Sequence, residues 1–502
     1  MAYSNVLTDG FPPGDPFWAG EKLTYHYFYN LLAILMTDLI PVSRVEVLRL
    51  VLPVFLLLVS TRSLFALASA LSGSRAAAAA AVTSFFAFFG YGPIFYTMFQ
   101  TASLNISYRL PSLLLALVQF LAILDLLRPR EAVSSPRWIL FGTLLFGVSG
   151  ARANVLPLVL CGLAFAFALA LLRTRSLTKL PKWIAGALAG TTAVFYLSYL
   201  LFYSGSILGS NIMEIAPLND SVTVTSQGQP SPVYVLLSGV LPAKAAVALF
   251  IAIVVLVKQM AFAPLAVAHV RSLWSWEDES PFDEIVLGVW IAGVSVLALF
   301  ENLTNEQWAF FYFASLGLTL LVLSRVDFKV PSSSGLRLLM VFTTVLQLTY
   351  FGWRMREKVI EIPWFTSQTW TAEADLAELA DFVTARGRET WLVNSSSPPL
   401  LRVAALSPYA RLYVDRQFER VARNLQHPEI ERRIELRKQL DCRQLRSVEE
   451  NAGVDLLVID RLREDRARQR KPRDCLREVL RSGRLRVREL VPEEDVSEIE
   501  QP

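Results

Sequence analysis

The chain has 502 residues, of which 53% are hydrophobic, and its mean hydropathy is +0.42. That hydrophobicity is high for a soluble protein and indicates membrane-spanning segments. The 48 Lys and Arg nearly balance the 44 Asp and Glu, and more than half of both lie beyond residue 353. The net charge of +4 therefore reflects a charge-rich, solvated C-terminal region and gives no indication of nucleic-acid binding.

The stretch Phe11–Pro41 precedes the first long apolar run. Its first half is polar, is broken by Pro and Gly, and carries the acids Asp15 and Glu21. Its second half, Tyr25–Ile40, is aromatic and apolar but is interrupted by polar residues. That half is shorter than the roughly 20 residues that a spanning helix needs. The pattern predicts an acidic loop that leads into a helix on the membrane surface, and residues 1–44 form this first region.

Apolar segments that follow the loop predict about ten membrane spans between residues 45 and 353. The segment Trp138–Leu172 is too long for one span and is broken at Gly150–Asn154, which predicts a tight hairpin of two short helices. The other predicted spans are Val47–Leu71, Ala77–Phe99, Leu110–Leu127, Trp183–Tyr203, Leu241–Val257, Ile285–Phe300, Trp308–Leu323 and Leu338–Trp353.

Positive charge alternates between successive loops, and this predicts the orientation of the spans. Loops that carry Lys or Arg are expected on the cytoplasmic side, and loops without them on the outer side. The basic loops are 72–76, 128–137, 173–182, 258–283 and 325–337, and the loops without a basic residue are 100–108, 204–240 and 301–307. The first loop and the C-terminal region are then both extracytoplasmic.

Residues 371–490 are predicted to form a small α/β domain, after a linker at 354–370 and before an acidic tail at 491–502. Short apolar runs that alternate with helical patterns are typical of buried parallel strands separated by helices. The predicted strands are at 391–393, 412–414, 455–459 and 485–487, and the predicted helices are Thr371–Gly387, Pro428–Gln439 and Lys471–Ser482.

The three cysteines do not make a disulfide framework. Cys161 lies in an apolar run and is interpreted as a packing residue. Cys442 and Cys475 are able to pair, because their domain is expected outside the cytoplasm.

The first loop resembles the first extracytoplasmic loop of the GT-C membrane glycosyltransferases. That superfamily includes enzymes that use polyprenyl-phosphate sugars, such as the protein mannosyltransferases and the aminoarabinose transferases. An apolar surface helix that runs into a span over Leu31–Arg49, and the topology of residues 1–353, extend the resemblance. The residues that carry it are Pro12-Pro13, Asp15-Pro16, Ala19-Gly20, Leu23 and Tyr25-His26-Tyr27.

One departure from the family pattern concerns the catalytic base. In the family a first span precedes this loop, and an acid soon after that span acts as the base. Here Met1 already lies in the loop. We therefore expect either an N-terminal truncation or the loss of the first span, and the family's usual base is in doubt.

The resemblance implies transfer of a sugar, with inversion, from a polyprenyl-phosphate donor to an extracytoplasmic acceptor. Such transfer needs a base for the acceptor hydroxyl and positive charge for the leaving phosphate. Asp15, Glu21 and His26 are the candidate catalytic residues in the loop. Tyr25 and Tyr27 are candidates for stacking on the sugar, although anchoring at the membrane interface also explains them.

Candidate phosphate-binding cations lie near the predicted outer ends of spans. They are Arg49, Arg109 and Arg152, and Arg152 is favoured because it falls in the Gly150–Asn154 break. A guanidinium suits a phosphate because it binds two of its oxygens at once. Glu214, in the outer loop that lacks Lys and Arg, is a further candidate for substrate binding.

The implied partners are a polyprenyl-phosphate sugar, the lipid bilayer and a glycan, lipid or protein acceptor. Participation of a divalent metal stays open, and no metal-ligand cluster is predicted. Two other function classes remain: a transporter or flippase of lipid-linked saccharide, and a non-catalytic cell-envelope assembly protein. The composition, rich in Ala, Leu and Arg, favours a bacterial inner membrane as the location.

Overall fold

The structure is a computed structural model. It describes residues 28–41, 47–87, 111–128, 135–152, 154–176, 181–203, 214–223, 230–258, 280–301, 307–326, 374–394, 442–461, 475–482 and 485–491. It also describes the single or short positions 262, 328, 338, 341, 342, 345, 349, 403, 407, 409–413 and 433.

The chain divides into two compact units. The helical unit comprises Arg49–Phe202 and Ile212–Ile362, and the mixed unit comprises Met1–Leu48, Tyr203–Asn211 and Pro363–Pro502. The sequence-based division into a first loop, a membrane part, a linker, an α/β domain and a tail stays a prediction.

The helical unit is built from apolar helices and one short ribbon of two strands. A π-helical turn at Val47–Val51 directly precedes the helix Leu52–Ser72, and a second π-helical turn at Tyr199–Tyr203 extends the helix Lys182–Ser198. The elements are α2 (Leu52–Ser72), α3 (Arg75–Ala87), α4 (Pro111–Leu127), α5 (Ser135–Ala151), α6 (Val155–Thr174), α7 (Lys182–Ser198), β1 (Glu214–Ile215), α8 (Pro232–Ser238), α9 (Ala243–Lys258), α10 (Pro281–Leu299), β2 (Phe300–Glu301) and α11 (Gln307–Arg325). The helix α1 (Phe28–Leu39) belongs to the mixed unit.

Five helices among the described residues are long and apolar enough to cross a membrane: α2, α6, α7 with its extension, α10 and α11. Large apolar side chains point outward on such helices, as at Phe55, Leu58 and Leu172, and lipid is the solvent that tolerates such a surface. Because five helices of the described residues meet these criteria, the predicted number of about ten spans is not confirmed. The predicted spans at 77–99, 110–127 and 241–257 contain the shorter helices α3, α4 and α9, and the last predicted span is described at scattered positions alone.

Close backbone approach holds α6, α10 and α11 together. A Cβ added at Gly162 in α6 would lie 2.7 Å from the carbonyl oxygen of Ile285 in α10. A Cβ added at Gly317 in α11 would collide with the carbonyl oxygen of Val286 in α10. Glycine at these positions lets the helices approach each other, as small residues do in membrane helix pairs.

Buried ion pairs define one end of this three-helix group, which we call the ion-pair end. Asp283 and Glu284 occupy the first turn of α10 and are 5% and 3% exposed. Arg325 Nε, at the end of α11, lies 2.6 Å from Asp283 Oδ2. Arg173, near the end of α6, pairs with Glu284. Acids at the start of a helix and arginines at the ends of others also complement the helix dipoles.

In the mixed unit, α1 is amphipathic and too short to span a membrane. Tyr29 and Ala33 are buried, whereas Leu35 and Leu39 are exposed. The Tyr29 hydroxyl donates a hydrogen bond of 2.5 Å to the carbonyl oxygen of Leu48. This helix lies within the segment for which the sequence predicts a surface helix.

The other described elements of the mixed unit are a five-stranded sheet and one helix on each of its faces. The predicted helix Pro428–Gln439 lies outside the described residues except for position 433. Strand order is β4-β3-β5-β7-β6; β3 pairs parallel with β4 and β5, while β7 runs antiparallel to β5 and β6. Apolar cores on both faces of the sheet include residues of α12 on one face and of α13 on the other. The elements are α12 (Ala374–Arg386), β3 (Thr390–Asn394), β4 (Ala410–Leu412), α13 (Cys442–Ala452), β5 (Asp455–Arg461), β6 (Leu476–Ser482) and β7 (Leu485–Leu490).

Two sequence predictions about this domain are wrong. The predicted helix Lys471–Ser482 contains the edge strand β6, and the predicted parallel strand at 485–487 is the antiparallel strand β7. Both errors have the same cause. Residues 476–482 are rich in helix-forming residues, but they form a strand because they pair antiparallel with β7. Cys442 and Cys475 form a disulfide, so the pairing considered from sequence is present.

Candidate functional site

The break predicted at Gly150–Asn154 lies between α5 and α6, and the structure describes both helices. Helix α5 ends at Ala151, and α6 begins at Val155. The Arg152 backbone N–H donates to Val148 O at 2.7 Å, and the Val155 N–H donates to Arg152 O at 3.4 Å. The helices have 17 and 20 residues, so the two halves of Trp138–Leu172 are longer than the short helices predicted.

Arg152 is fully buried in this break, with 0% of its surface exposed. Val148, Ser149, Gly150 and Val155 around it are buried as well. A guanidinium always carries its charge in a protein, and burying that charge is costly unless polar or acidic partners compensate it. A buried Arg is therefore typical of paired or functional positions. Burial also excludes the alternative in which Arg152 extends its charged head into the surrounding solvent or interface.

Polar groups near the break link α5 to α7. Ser149 Oγ donates a hydrogen bond of 2.7 Å to Phe146 O and lies 2.8 Å from Ser198 Oγ, and both serines are buried. The Phe146 and Phe202 rings are 5.2 Å apart, which continues the contact along the extension of α7. Neither serine was singled out from sequence; the available signal was a small polar residue in an otherwise apolar helix.

The start of α6 offers fewer backbone donors than a typical helix start. Asn154 is the N-cap residue, but its side chain does not cap the helix. Pro157 has no N–H, and the Val155 N–H is already directed at Arg152 O. The positive charge available to an anion at this break therefore comes mainly from Arg152, with a smaller contribution from the helix dipole.

The ribbon of β1 and β2 marks the end of the helical unit opposite the ion-pair end, and we call it the ribbon end. It comprises the start of α6, the end of α10 and the start of α11, since the ends of α6 and α11 both pair with the start of α10 at the ion-pair end. In the ribbon, the backbone of Glu214 is in register with that of Glu301. The chain after β1 stays on α10, because Leu218 N donates 2.7 Å to Ala298 O.

The predicted site residues divide into described and undescribed positions. Arg152 is buried at the ribbon end, and Glu214 lies in β1 at the same end. Arg49 is in the π-helical turn Val47–Val51. The structure does not bring any of these three into a described mutual contact. The remaining predicted residues lie outside the described part of the chain: Asp15, Glu21, Tyr25, His26, Tyr27 and Arg109.

Within the described residues there is no group of three or more His, Cys, Asp or Glu side chains that could hold a metal ion. The loop acids predicted from sequence fall outside this search. The described polar groups near the break are the Arg152 guanidinium and the hydroxyls of Ser149 and Ser198.

No protein-family model and no curated protein matches the chain. Among solved structures, it is similar to the archaeal oligosaccharyltransferase AglB from Archaeoglobus fulgidus in complex with an inhibitory peptide and a dolichol-phosphate. The sequence identity is 12% and the TM-score 0.44, with 92% of this chain and 65% of that chain covered. This chain thus spans less than two thirds of the length of that oligosaccharyltransferase.

Proposed function

We propose that the protein is a membrane glycosyltransferase that takes its sugar from a polyprenyl-phosphate donor at the ribbon end of the helical unit. The supporting observation is the fully buried Arg152, placed in a helix break within an apolar helical unit. A fixed guanidinium in a water-poor site stabilises developing negative charge more strongly than one in water. The leaving phosphate of such a transfer develops that charge.

The proposed reaction is a single displacement at the anomeric carbon. A carboxylate removes the proton of the acceptor hydroxyl, and the acceptor oxygen bonds to the anomeric carbon as the bond to the phosphate oxygen breaks. The sugar is transferred with inversion, and polyprenyl phosphate leaves. Asp15 and Glu21 are the proposed bases, with His26 beside them, and Arg152 is the proposed partner of the phosphate.

The burial of Arg152 limits the route by which a donor phosphate is able to reach it. Because the break has no exposed surface at Arg152, the donor phosphate has to enter between helices, with its apolar tail in the lipid. Exposed apolar side chains on the outer half of α7 and its extension, such as Tyr196, Leu200 and Leu201, provide a lipid-compatible path beside the break. The proposed donor therefore enters from the bilayer, and the soluble acceptor comes from the outer side.

The proposed sidedness rests on charge and on the disulfide. Basic residues gather at helix ends that belong to the ion-pair end, including Arg75, Arg128, Arg173 and Arg325, and such residues favour the cytoplasmic side. The Cys442–Cys475 disulfide favours an oxidising compartment for the C-terminal domain. In our proposal the ribbon end and the C-terminal domain are both outside the cytoplasm; the charge distribution supports the first and the disulfide supports the second.

The test is sugar transfer by the purified full chain from a panel of polyprenyl-phosphate sugars, with wild type, Arg152→Ala and Arg152→Lys. Hydrogen bonds to charged groups contribute roughly 1.5–3 kcal/mol, so Arg152→Ala is expected to lose at least about tenfold in transfer. Arg152→Lys is expected to recover only part, since Lys keeps the charge but not the planar fork.

Arg75→Ala is the matched control, because Arg75 is exposed at the other end of the helices. It is expected to transfer like wild type. If the wild type transfers sugar from no donor but moves a lipid-linked saccharide across a vesicle membrane, the protein is a flippase and the proposed enzyme activity is wrong. Equal transfer by all four proteins would remove Arg152 from the site.

A further inference from the structure

A charged cleft of about 480 Å³ lies in the mixed unit, separate from the break in the helical unit. It forms where the end of α12, the middle of α13 and the starts of β5 and β6 meet the end of β7. This is the edge at which the parallel strand β5 begins, whereas ligands in open α/β sheets usually bind at the edge where such strands end. We call it the C-terminal cleft.

Two carboxylates in the wall of the C-terminal cleft are already engaged by arginines. Arg386 lies between them, with Nη1 3.0 Å from Asp455 Oδ2 and Nη2 2.6 Å from Glu489 Oε2. Arg388 binds Asp455 with Nε at 2.7 Å and Nη2 at 2.5 Å. Arg477 Nη2 donates to Glu489 Oε1 at 2.8 Å. The oxygen atoms of both acids are thus directed at guanidinium groups of the protein.

The two arginines at the mouth of the cleft are largely exposed. The Arg388 and Arg477 side chains are 70% and 58% exposed, against 21% for Arg386. A guanidinium has five N–H donors, and a carboxylate that holds one edge fixes the direction of the others. Asp455 and Glu489 therefore act as positioning groups for the Arg388 and Arg477 guanidinium groups.

We propose that the C-terminal cleft binds a small molecule through a phosphate or carboxylate group, held by Arg388 and Arg477. Planar guanidinium forks match the paired oxygens of both anions. A metal cation is disfavoured because the two inner acids already accept charge-assisted bonds, and the described residues contain no metal-ligating group of three or more acids, histidines or cysteines. Leu456, Leu490 and Val491 also line the cleft and are able to contact an uncharged part of the ligand. The remaining lining residues are Arg446, Glu449 and Glu450.

The disulfide contributes to the shape of this site. Cys442 begins α13 and Cys475 directly precedes β6, so the bond ties together two elements that line the cleft. Val491 N donates to Cys475 O at 2.9 Å, and Arg446 Nη2 donates to Val491 O at 2.8 Å. The wall that carries Arg477 is therefore held to α13 by covalent and hydrogen bonds.

The test is isothermal titration of the purified full chain in detergent with glucose 1-phosphate, glucuronate, inorganic phosphate and neutral glucose. Binding of at least one anion without binding of glucose is the expected result, and the three anions distinguish phosphate from carboxylate and free from sugar-linked phosphate. Arg388→Gln and Arg477→Gln are each expected to weaken binding about tenfold or more.

Arg481→Gln is the matched control, since Arg481 is exposed on the same strand as Arg477 but does not line the cleft. Its binding is expected to equal that of wild type. Millimolar anions that fail to bind would overturn the proposal, as would an equal loss in all three variants. The Arg152→Ala protein is expected to bind the anion like wild type. The anion site in the C-terminal cleft and the proposed sugar transfer are therefore tested independently of each other.

Discussion

At the scale of single residues, Asp283 shows how the helical unit tolerates charge. Its Oδ2 accepts from Arg325, and its Oδ1 accepts 2.6 Å from the Ser324 hydroxyl, so the buried carboxylate has both a cation and a hydroxyl as partners. A buried charge is tolerated when it is paired and hydrogen-bonded, and it becomes costly as soon as one partner is removed.

We expect Asp283→Asn to destabilise the protein by about 3–5 kcal/mol, because it leaves the Arg325 charge buried without its counter-ion. Asp125→Asn is the control. Its pair with Arg128 joins side chains that are 40% and 24% exposed, and such pairs contribute about 0–1 kcal/mol. Thermal unfolding in detergent compares the two, and equal midpoints would contradict the assignment of Asp283 to a buried pair.

Two glutamates of the C-terminal cleft are expected to oppose each other in the pH dependence of stability. Burial favours the protonated form of both. In Glu489 the hydrogen bonds from Arg477 and Arg386 outweigh burial, so its pKa is lowered from 4.5. In Glu449 burial outweighs the hydrogen bond from Leu456 N and the nearby arginines, so its pKa is raised from 4.5.

The sign follows from linkage between protonation and folding. Glu489 contributes stability above pH 4.5 that is lost as the pH falls through its folded pKa, so Glu489→Gln should flatten the loss of stability on acidification. Glu449 contributes in the opposite sense, so Glu449→Gln should steepen that loss. Unfolding midpoints between pH 3 and pH 7 measure both slopes, and parallel slopes in both variants would contradict these pKa directions.

At the scale of elements, the contact of α10 with α6 and α11 depends on glycine. We expect Gly317→Ala to destabilise by about 1–3 kcal/mol, because the new methyl group meets backbone of α10 that has no room to move away. Gly190→Ala in α7 is the control, since an added Cβ there meets nothing within 4 Å. It should leave stability unchanged or raise it slightly, as helix propensity predicts. Similar losses in both would show that close packing at Gly317 is unimportant.

Some helices and strands are predictable from the sequence and others are not. Long apolar runs such as Val155–Thr174 and Pro281–Leu299 are predictable because lipid requires both length and hydrophobicity. The edge strand β6 is not, because Leu, Arg and Glu in that segment favour a helix and only pairing with β7 makes it a strand. The break at Arg152 was visible as a polar interruption, whereas its complete burial depends on packing that no local pattern encodes.

At the scale of the whole molecule, the disulfide and the charge distribution lead to one expectation about location. If the C-terminal domain lies outside the cytoplasm, Cys442 and Cys475 should not react with a maleimide in denatured protein from cells until a reductant is added. Cys442→Ser should then leave a reactive Cys475 without reduction. Cys161 is a free thiol and reacts in either case. Three thiols that react in the wild type without reductant, instead of Cys161 alone, would place the domain in a reducing compartment and contradict the proposed orientation.

The central claim, that a lipid-linked phosphate binds beside Arg152, is tested most directly by photocrosslinking. A polyprenyl phosphate with a photoreactive group near its phosphate is incubated with the full chain in lipid nanodiscs, and labelled peptides are identified by mass spectrometry. We predict labelling of peptides from the end of α5 and the start of α6, which decreases in Arg152→Ala and persists in Arg75→Ala. Labelling concentrated at the ion-pair end, or labelling that is equal in the two variants, would contradict the claim.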